Sequence, residues 1–162
     1  MRKSMALRYS TGLRNAMLDS TGLRAAMANG VIRIYSGAQP ATADSPVQGT
    51  LLVTITKDGG AFAHGSATNG LNFDAAAAAA ISKAVAEAWQ GLGLANGTMG
   101  WFRFSANPSD GGGSPPTLAR IDGSCAKVGR DLEVSSTGGV HGPTQTHQCL
   151  TDFEGHPRER GG

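Results

Sequence analysis

Apolar and polar residues alternate with a period of two over several short stretches of this chain, and turn-forming residues separate them. Val31-Ile32-Arg33-Ile34-Tyr35 is β-branched and aromatic and stops at Ser36-Gly37, which predicts a strand. Thr50-Leu51-Leu52-Val53-Thr54-Ile55-Thr56 sets Leu51, Val53 and Ile55 against Leu52, Thr54 and Thr56. That pattern predicts a half-buried strand ending at the Asp58-Gly59-Gly60 turn. Shorter strands are expected around residues 61–64 and 70–73, and two more over 117–122 and 131–135. Residues 38–49, with Pro40, Asp44, Pro46 and Gly49, read as a surface loop, as do residues 107–116.

Both tryptophans and two of the five phenylalanines fall within residues 89–104. Large aromatic side chains bury the most area per residue, so a core forms here by expectation. The intervening residues 91–100 are glycine-rich and contain Asn96-Gly97, a pair suited to hairpin loops. The expected element is therefore a hairpin of strands over 87–90 and 100–105. The predicted core residues are Val31, Ile34, Val53, Trp89, Trp101, Phe102 and Phe104.

A second periodicity lies nearer the N-terminus. Ser10-Thr11-Gly12-Leu13-Arg14-Asn15-Ala16-Met17 repeats, ten residues on, as Ser20-Thr21-Gly22-Leu23-Arg24-Ala25-Ala26-Met27. Ten residues are close to three helical turns, so Leu13, Met17, Leu23 and Met27 share one face opposite Arg14 and Arg24. Ser10 and Ser20 are candidate caps, and Gly22 weakens the middle. Two short helices, or one interrupted helix, are predicted over 11–28. They either plug one end of the sheet or grip a neighbouring subunit, with Leu13, Arg14, Leu23 and Arg24 as the contact residues.

Residues 74–89 carry conflicting signals. The alanine run 75–80 followed by Ile81, Ala84, Val85, Ala88 and Trp89 makes a good amphipathic helix capped by Asp74. A helix through Trp89 would remove one arm of the aromatic hairpin. The reading adopted is a strand from about 83 to 90, approached by the alanine run.

Seven or eight short strands at this spacing point to a mainly β chain, a single β-sandwich of jelly-roll type with a short N-terminal helical segment. The expected organisation is an extension over 1–9, a helical arm over 10–29, the sandwich over 30–137 and an irregular tail over 138–162. The tail lacks alternation and holds only Leu150 and Phe153 as sizeable apolar groups. A slip of the coding frame near Thr137 would explain the change in texture; mass spectrometry of the C-terminal peptide from the native source decides this.

Composition sharpens the picture in three respects. Glycine is 24 of 162 residues and charged residues are 16%, so tight turns and an uncharged polar surface are expected. The net charge of +2 is uneven: residues 1–33 carry six positive residues against Asp19, net +5, leaving −3 for the rest. Without stacking aromatics or a groove-reading motif, this basic segment points to an acidic protein surface and not to nucleic acid. Two cysteines make no disulfide framework and read as free thiols; no apolar run is long enough to span a membrane, and no secretory segment is evident, so a soluble protein made in the cytoplasm is expected.

Catalytic motifs are absent: there is no nucleophile elbow, phosphate loop, zinc-protease helix or EF-hand spacing. His141, His147, Cys149 and His156 are competent zinc ligands at spacings that match no common framework. No metal, cofactor or catalytic residue is therefore expected. His64 reads as a turn histidine, and Arg120 with Asp122 as a surface pair on one strand face.

The residues 8–16 (Arg8-Tyr9-Ser10-Thr11-Gly12-Leu13-Arg14-Asn15-Ala16), 30–44 (beginning Gly30-Val31-Ile32-Arg33-Ile34-Tyr35-Ser36-Gly37) and Trp101-Phe102-Arg103-Phe104 occur in an order that resembles a group of small virion structural proteins of tailed bacteriophages. The resemblance covers about residues 5–136, makes Met5 the natural start, and does not extend past Gly138. It implies a non-enzymatic capsid cement or decoration subunit, or a tail component, that forms homo-oligomers and binds major capsid or tail subunits. Its expected location is the virion, after synthesis in the host cytoplasm. The alternative is a host-surface glycan-binding module of the tail, which requires an exposed tryptophan at Trp89 or Trp101.

Overall fold

A computed structural model describes residues 7–108, 110–113, 117–126, 129–134 and 146–148. The elements in chain order are β1 (Arg8–Tyr9), α1 (Thr11–Leu18), α2 (Gly22–Ala26), β2 (Val31–Ser36), β3 (Leu51–Lys57), β4 (Trp89–Leu92), β5 (Met99–Ser105), β6 (Arg120–Ala126), β7 (Leu132–Glu133) and β8 (Thr146–Gln148). The strands follow the order β1-β6-β5-β2-β3-β4-β8, each antiparallel to its neighbour, with β7 beside β6 in parallel. The chain is thus mainly β with two short helices, as the alternation predicts.

The helices form where the ten-residue repeat places them. Ser10 caps α1, its hydroxyl accepting the Leu13 amide at 3.2 Å and donating to the Leu118 carbonyl at 2.7 Å. One residue thereby starts the helix and fixes it to the chain just ahead of β6. Ser20 is not the second cap: Thr21 holds that position in α2 without a side-chain bond. Gly12 faces the Thr117 main chain so closely that a Cβ would lie 2.5 Å from its carbonyl carbon. The helical segment is therefore an integral layer of the domain and not a free arm.

Register divides the sheet's side chains between two faces. Ile32 and Ile34 stand opposite Phe104 and Phe102 on one side and Ile55 and Val53 on the other, and Phe104 opposes Ile121. This face meets Leu13, Met27, Leu71, Phe73 and Trp89 in the main apolar core. Phe73, Trp89 and Phe104 have ring centroids 5.6–5.7 Å apart in tilted and edge-to-face pairs. Every predicted core residue is buried, with Val31 and Trp101 on the opposite face. In β3 the expected half-burial fails because pairing skips from Ile34–Val53 to Tyr35–Leu51, leaving Leu52 as the extra residue of a bulge, fully buried.

The aromatic hairpin is corrected. β4 pairs with β3 and β8, whereas β5 pairs with β2 and β6, so the two aromatic strands are not neighbours. Neither Asn96 nor Gly97 takes the positive φ that a tight turn would need. The aromatics still meet, because Trp89 reaches Phe104 through the core.

Residues 74–88 form no helix, and the strand begins only at Trp89. Instead, residues 72–84 make an irregular hairpin, bridged at Phe73 and Lys83 and again at Ala77 and Ala80. Asp74, the cap in the helix alternative to the adopted strand reading, accepts the Val85 amide at 2.9 Å and closes this excursion. Buried Glu87 clamps its base, taking the Asn72 amide at 2.9 Å and the Trp89 indole N–H at 3.0 Å. Residues 61–64 form no strand, and Leu71 and Phe73 make only isolated bridges.

Candidate functional site

The second face of the sheet is charged and buried. Alternation from Ile32, Ile34, Phe102, Phe104 and Ile121 puts Arg33, Tyr35, Trp101, Arg103, Ser105, Arg120 and Asp122 on this face. Register then arranges Arg33, Arg103, Asp122 and Arg8 in one row across β2, β5, β6 and β1. Loops from residues 37–50 and 106–119 supply Ser45, Val47, Asp110 and Gly112 to it.

Two guanidinium–carboxylate forks organise this face, one within the row and one beside it. Arg103 donates from Nε and Nη2 to Asp122 at 2.8 and 2.7 Å, and from Nη2 to the Ser45 carbonyl at 2.9 Å. Arg120 donates from Nε and Nη2 to Asp110, both at 2.6 Å, and from Nη1 to the Ala43 and Gly113 carbonyls. Arg103, Arg120 and Asp122 are at most 2% exposed. Such planar, doubly bonded pairs are the geometry in which arginine tolerates burial. Arg120 and Asp122 are therefore not the surface pair expected of an i, i+2 spacing; each finds a different, non-local partner.

The two carboxyls respond differently. For Asp110, burial favours the neutral form, but hydrogen bonds from Arg120 and the Gly112 amide, together with the charges of Arg120 and Arg103, hold it below the usual carboxylate range. Around Asp122 desolvation is heavier and outweighs the Arg103 fork, so its carboxyl stays above that range.

Trp101 stacks on Tyr35 at 4.8 Å, donates its indole N–H to the Gln48 carbonyl at 3.2 Å, and lies 5.5 Å from the Arg103 guanidinium carbon. Arg33 approaches His64 with Nη2 3.3 Å from Nε2, while His64 Nδ1 lies 3.0 Å from the Asn107 carbonyl. A carbonyl only accepts, so Nδ1 carries the proton and Nε2 receives the Arg33 bond. His64 is a turn residue that links β2 to the loop after β5.

A cleft of about 370 Å³ opens beside these groups, lined by Arg33, Tyr35, Val47, Arg103, Ser105 and Asp110 among others. One buried side-chain nitrogen among the described residues has no hydrogen-bond partner, Arg103 Nη1.

The predicted contact residues separate. Leu13 is fully buried in the chain's own core, and Leu23 packs against that core. The core thus takes the apolar stripe of the helices, leaving Leu13 no surface to offer. Arg14 is exposed and donates to Thr11 Oγ1 at 3.1 Å, whereas Arg24, also exposed, is tethered by Nε to the Phe73 carbonyl at 3.1 Å. Arg14 lines a cleft of about 340 Å³ with Arg8, Tyr9 and residues 41–44. There Asp44 accepts the Thr11 amide at 2.9 Å and its hydroxyl at 2.7 Å.

The candidate zinc set of His141, Cys149 and His156 lies outside the described residues, and His147 is described only as a strand position. Among the described residues no group of three or more His, Cys, Asp and Glu is placed to hold a metal ion. Cys125 is buried in the main apolar core. No helix among the described residues is long and apolar enough to cross a membrane.

The charged face escaped the sequence reading because Asp110 sits in a loop ten residues before its partner. The available signal was charge inside otherwise strand-forming runs, at Arg33, Arg103, Arg120 and Asp122. No protein-family model, curated protein or solved structure matches the chain.

Proposed function

We propose that this chain is a non-enzymatic bacteriophage virion structural protein, a capsid cement or decoration subunit or a tail component, that oligomerises and binds other virion subunits. In this reading the strands complete a jelly-roll-like sandwich, and the protein, made in the host cytoplasm, ends in the particle. The resemblance over residues 5–136 motivates it.

The observation that carries the reading is a rigidly held surface of interface composition. Arg14 and Leu18 lie four residues apart on one face of α1, and Leu18 is 87% exposed. Tyr9 is 40% exposed and shares a cleft with Arg14. Tyrosine and arginine are enriched where proteins meet, and a surface fixed by the Ser10 cap and the Gly12 contact loses little entropy on docking. The basic charge suits an acidic neighbour.

The test is incorporation into particles. Arg14→Ala removes the Thr11 hydrogen bond and the charge near Asp44 without adding a like charge, and should reduce the copies bound per particle; unchanged incorporation contradicts the reading. Arg24→Glu is less clean because it also releases the Phe73 carbonyl. The glycan-binding alternative needs an exposed tryptophan, and Trp89 and Trp101 are 2% and 0% exposed. It is not carried further.

A further inference from the structure

Arg33 and Arg103 stand directly opposite each other on β2 and β5, a like-charge cross-strand pair. Such a pair opposes sheet formation unless counter-charge is near. The charged residues lining the 370 Å³ cleft are Arg33, Arg103 and Asp110, the last two paired with Asp122 and Arg120 behind it; Arg8, beyond Asp122 in the row, donates to the Pro40 carbonyl. Asp122 is taken by Arg103 and Asp110 by Arg120, so one positive charge remains over. That charge is Arg33, whose hydrogen-bond partner is the histidine nitrogen of His64. Arg103 also lines the cleft, and its buried Nη1 has no hydrogen-bond partner among the described residues. Buried polar atoms are nearly always partnered, so an orphan beside a cavity points to a missing acceptor.

We infer that this cleft is a binding subsite for a monoanionic carboxylate, held between Arg33 and Arg103. The Ser105 and Tyr35 hydroxyls, which line the same cleft, are further donors. The burial-raised Tyr35 hydroxyl stays protonated and able to donate. A single negative charge balances the surplus, whereas a dianion overshoots it. Val47 and Gly112, whose backbone hydrogen bond of 2.9 Å joins the two loops, line the same cleft. The carboxylate comes either from a free small acid or from an acidic side chain of a protein partner; the inference stands independently of the virion reading.

The test titrates the isolated full-length chain with sodium acetate, holding ionic strength constant with chloride, and follows backbone amide resonances of β2, β5 and residues 45–48 and 110–112. Acetate should give saturable shifts there that chloride does not. Arg33→Gln should weaken acetate binding by about tenfold or more, as loss of a charged hydrogen bond does, and Arg33→Lys should restore most of it. The same spectra report whether each variant folds. A parallel titration with capped glutamate separates the sources: tighter binding than acetate assigns a partner's side chain, and equal binding assigns a free acid. Acetate shifts no larger than those of chloride, unchanged affinity in a folded Arg33→Gln, or phosphate binding about tenfold tighter than acetate would each overturn the assignment.

Discussion

Arg103 joins the two sides of this protein's chemistry, because its fork to Asp122 is structural while its third nitrogen faces no partner. Removing one member of a buried pair strands the other charge, which costs about 3–5 kcal/mol. Asp122→Asn leaves Arg103 without its carboxylate and should lower unfolding stability in denaturant titrations, but by less than that order, because burial already opposes the Asp122 charge. Replacing Arg103 and Asp122 together by apolar residues of similar volume should cost much less. Acid unfolding separates the carboxyls. The folded-state pKa of Asp110 is depressed, so its contribution is present above the unfolded value of about 3.9 and is lost as pH falls through the folded value. Asp122 has the opposite sign, since its raised value makes ionisation unfavourable to the fold as pH rises past the unfolded value. Stability measured from pH 5 downward should fall in the wild type and fall less steeply in Asp110→Asn.

Elements were legible where a local signal acts alone. Ser10 caps α1 as its sequence predicts, and Asp58-Gly59 takes positive φ at both positions to end β3. They were illegible where a distant group decides. Asn96-Gly97 reads as a hairpin turn, but β3 and β6 claim the flanking strands. The alanine run has helical propensity and reads as the approach to a strand, but Glu87 and Asp74 hold it as a hairpin whose tip, Ala78-Ala79, has φ of 48° and 63°. Left-handed alanine costs about 1–2 kcal/mol per residue, and Asn-Gly suits such a turn. Replacing Ala78-Ala79 by Asn-Gly should thus raise stability by about 1 kcal/mol in thermal denaturation. At the other end of the domain, Gly12→Ala should cost about 2 kcal/mol or more, because the Thr117 main chain occupies the space of the new methyl. A Gly12 variant as stable as wild type would show that α1 is not docked as described.

At the scale of the whole molecule, composition and alternation were enough to predict a β domain with a helical segment ahead of it. They could not reveal that both sheet faces are buried, one apolar and one by ion pairs, since the second depends on loops reaching back over the strands. The same docking that buries Leu13 leaves Tyr9, Arg14 and Leu18 outward on a fixed platform. Under the proposed virion role, a subunit that holds neighbours needs such a platform more than it needs a reactive group. The most direct test of the proposed virion role is a cryo-EM map of the particles assembled where this chain is made. The account predicts ordered copies on the shell lattice or on a tail ring, with α1 and Tyr9 against an adjacent subunit; a particle with no copies, or copies meeting their neighbours only through other surfaces, would contradict it.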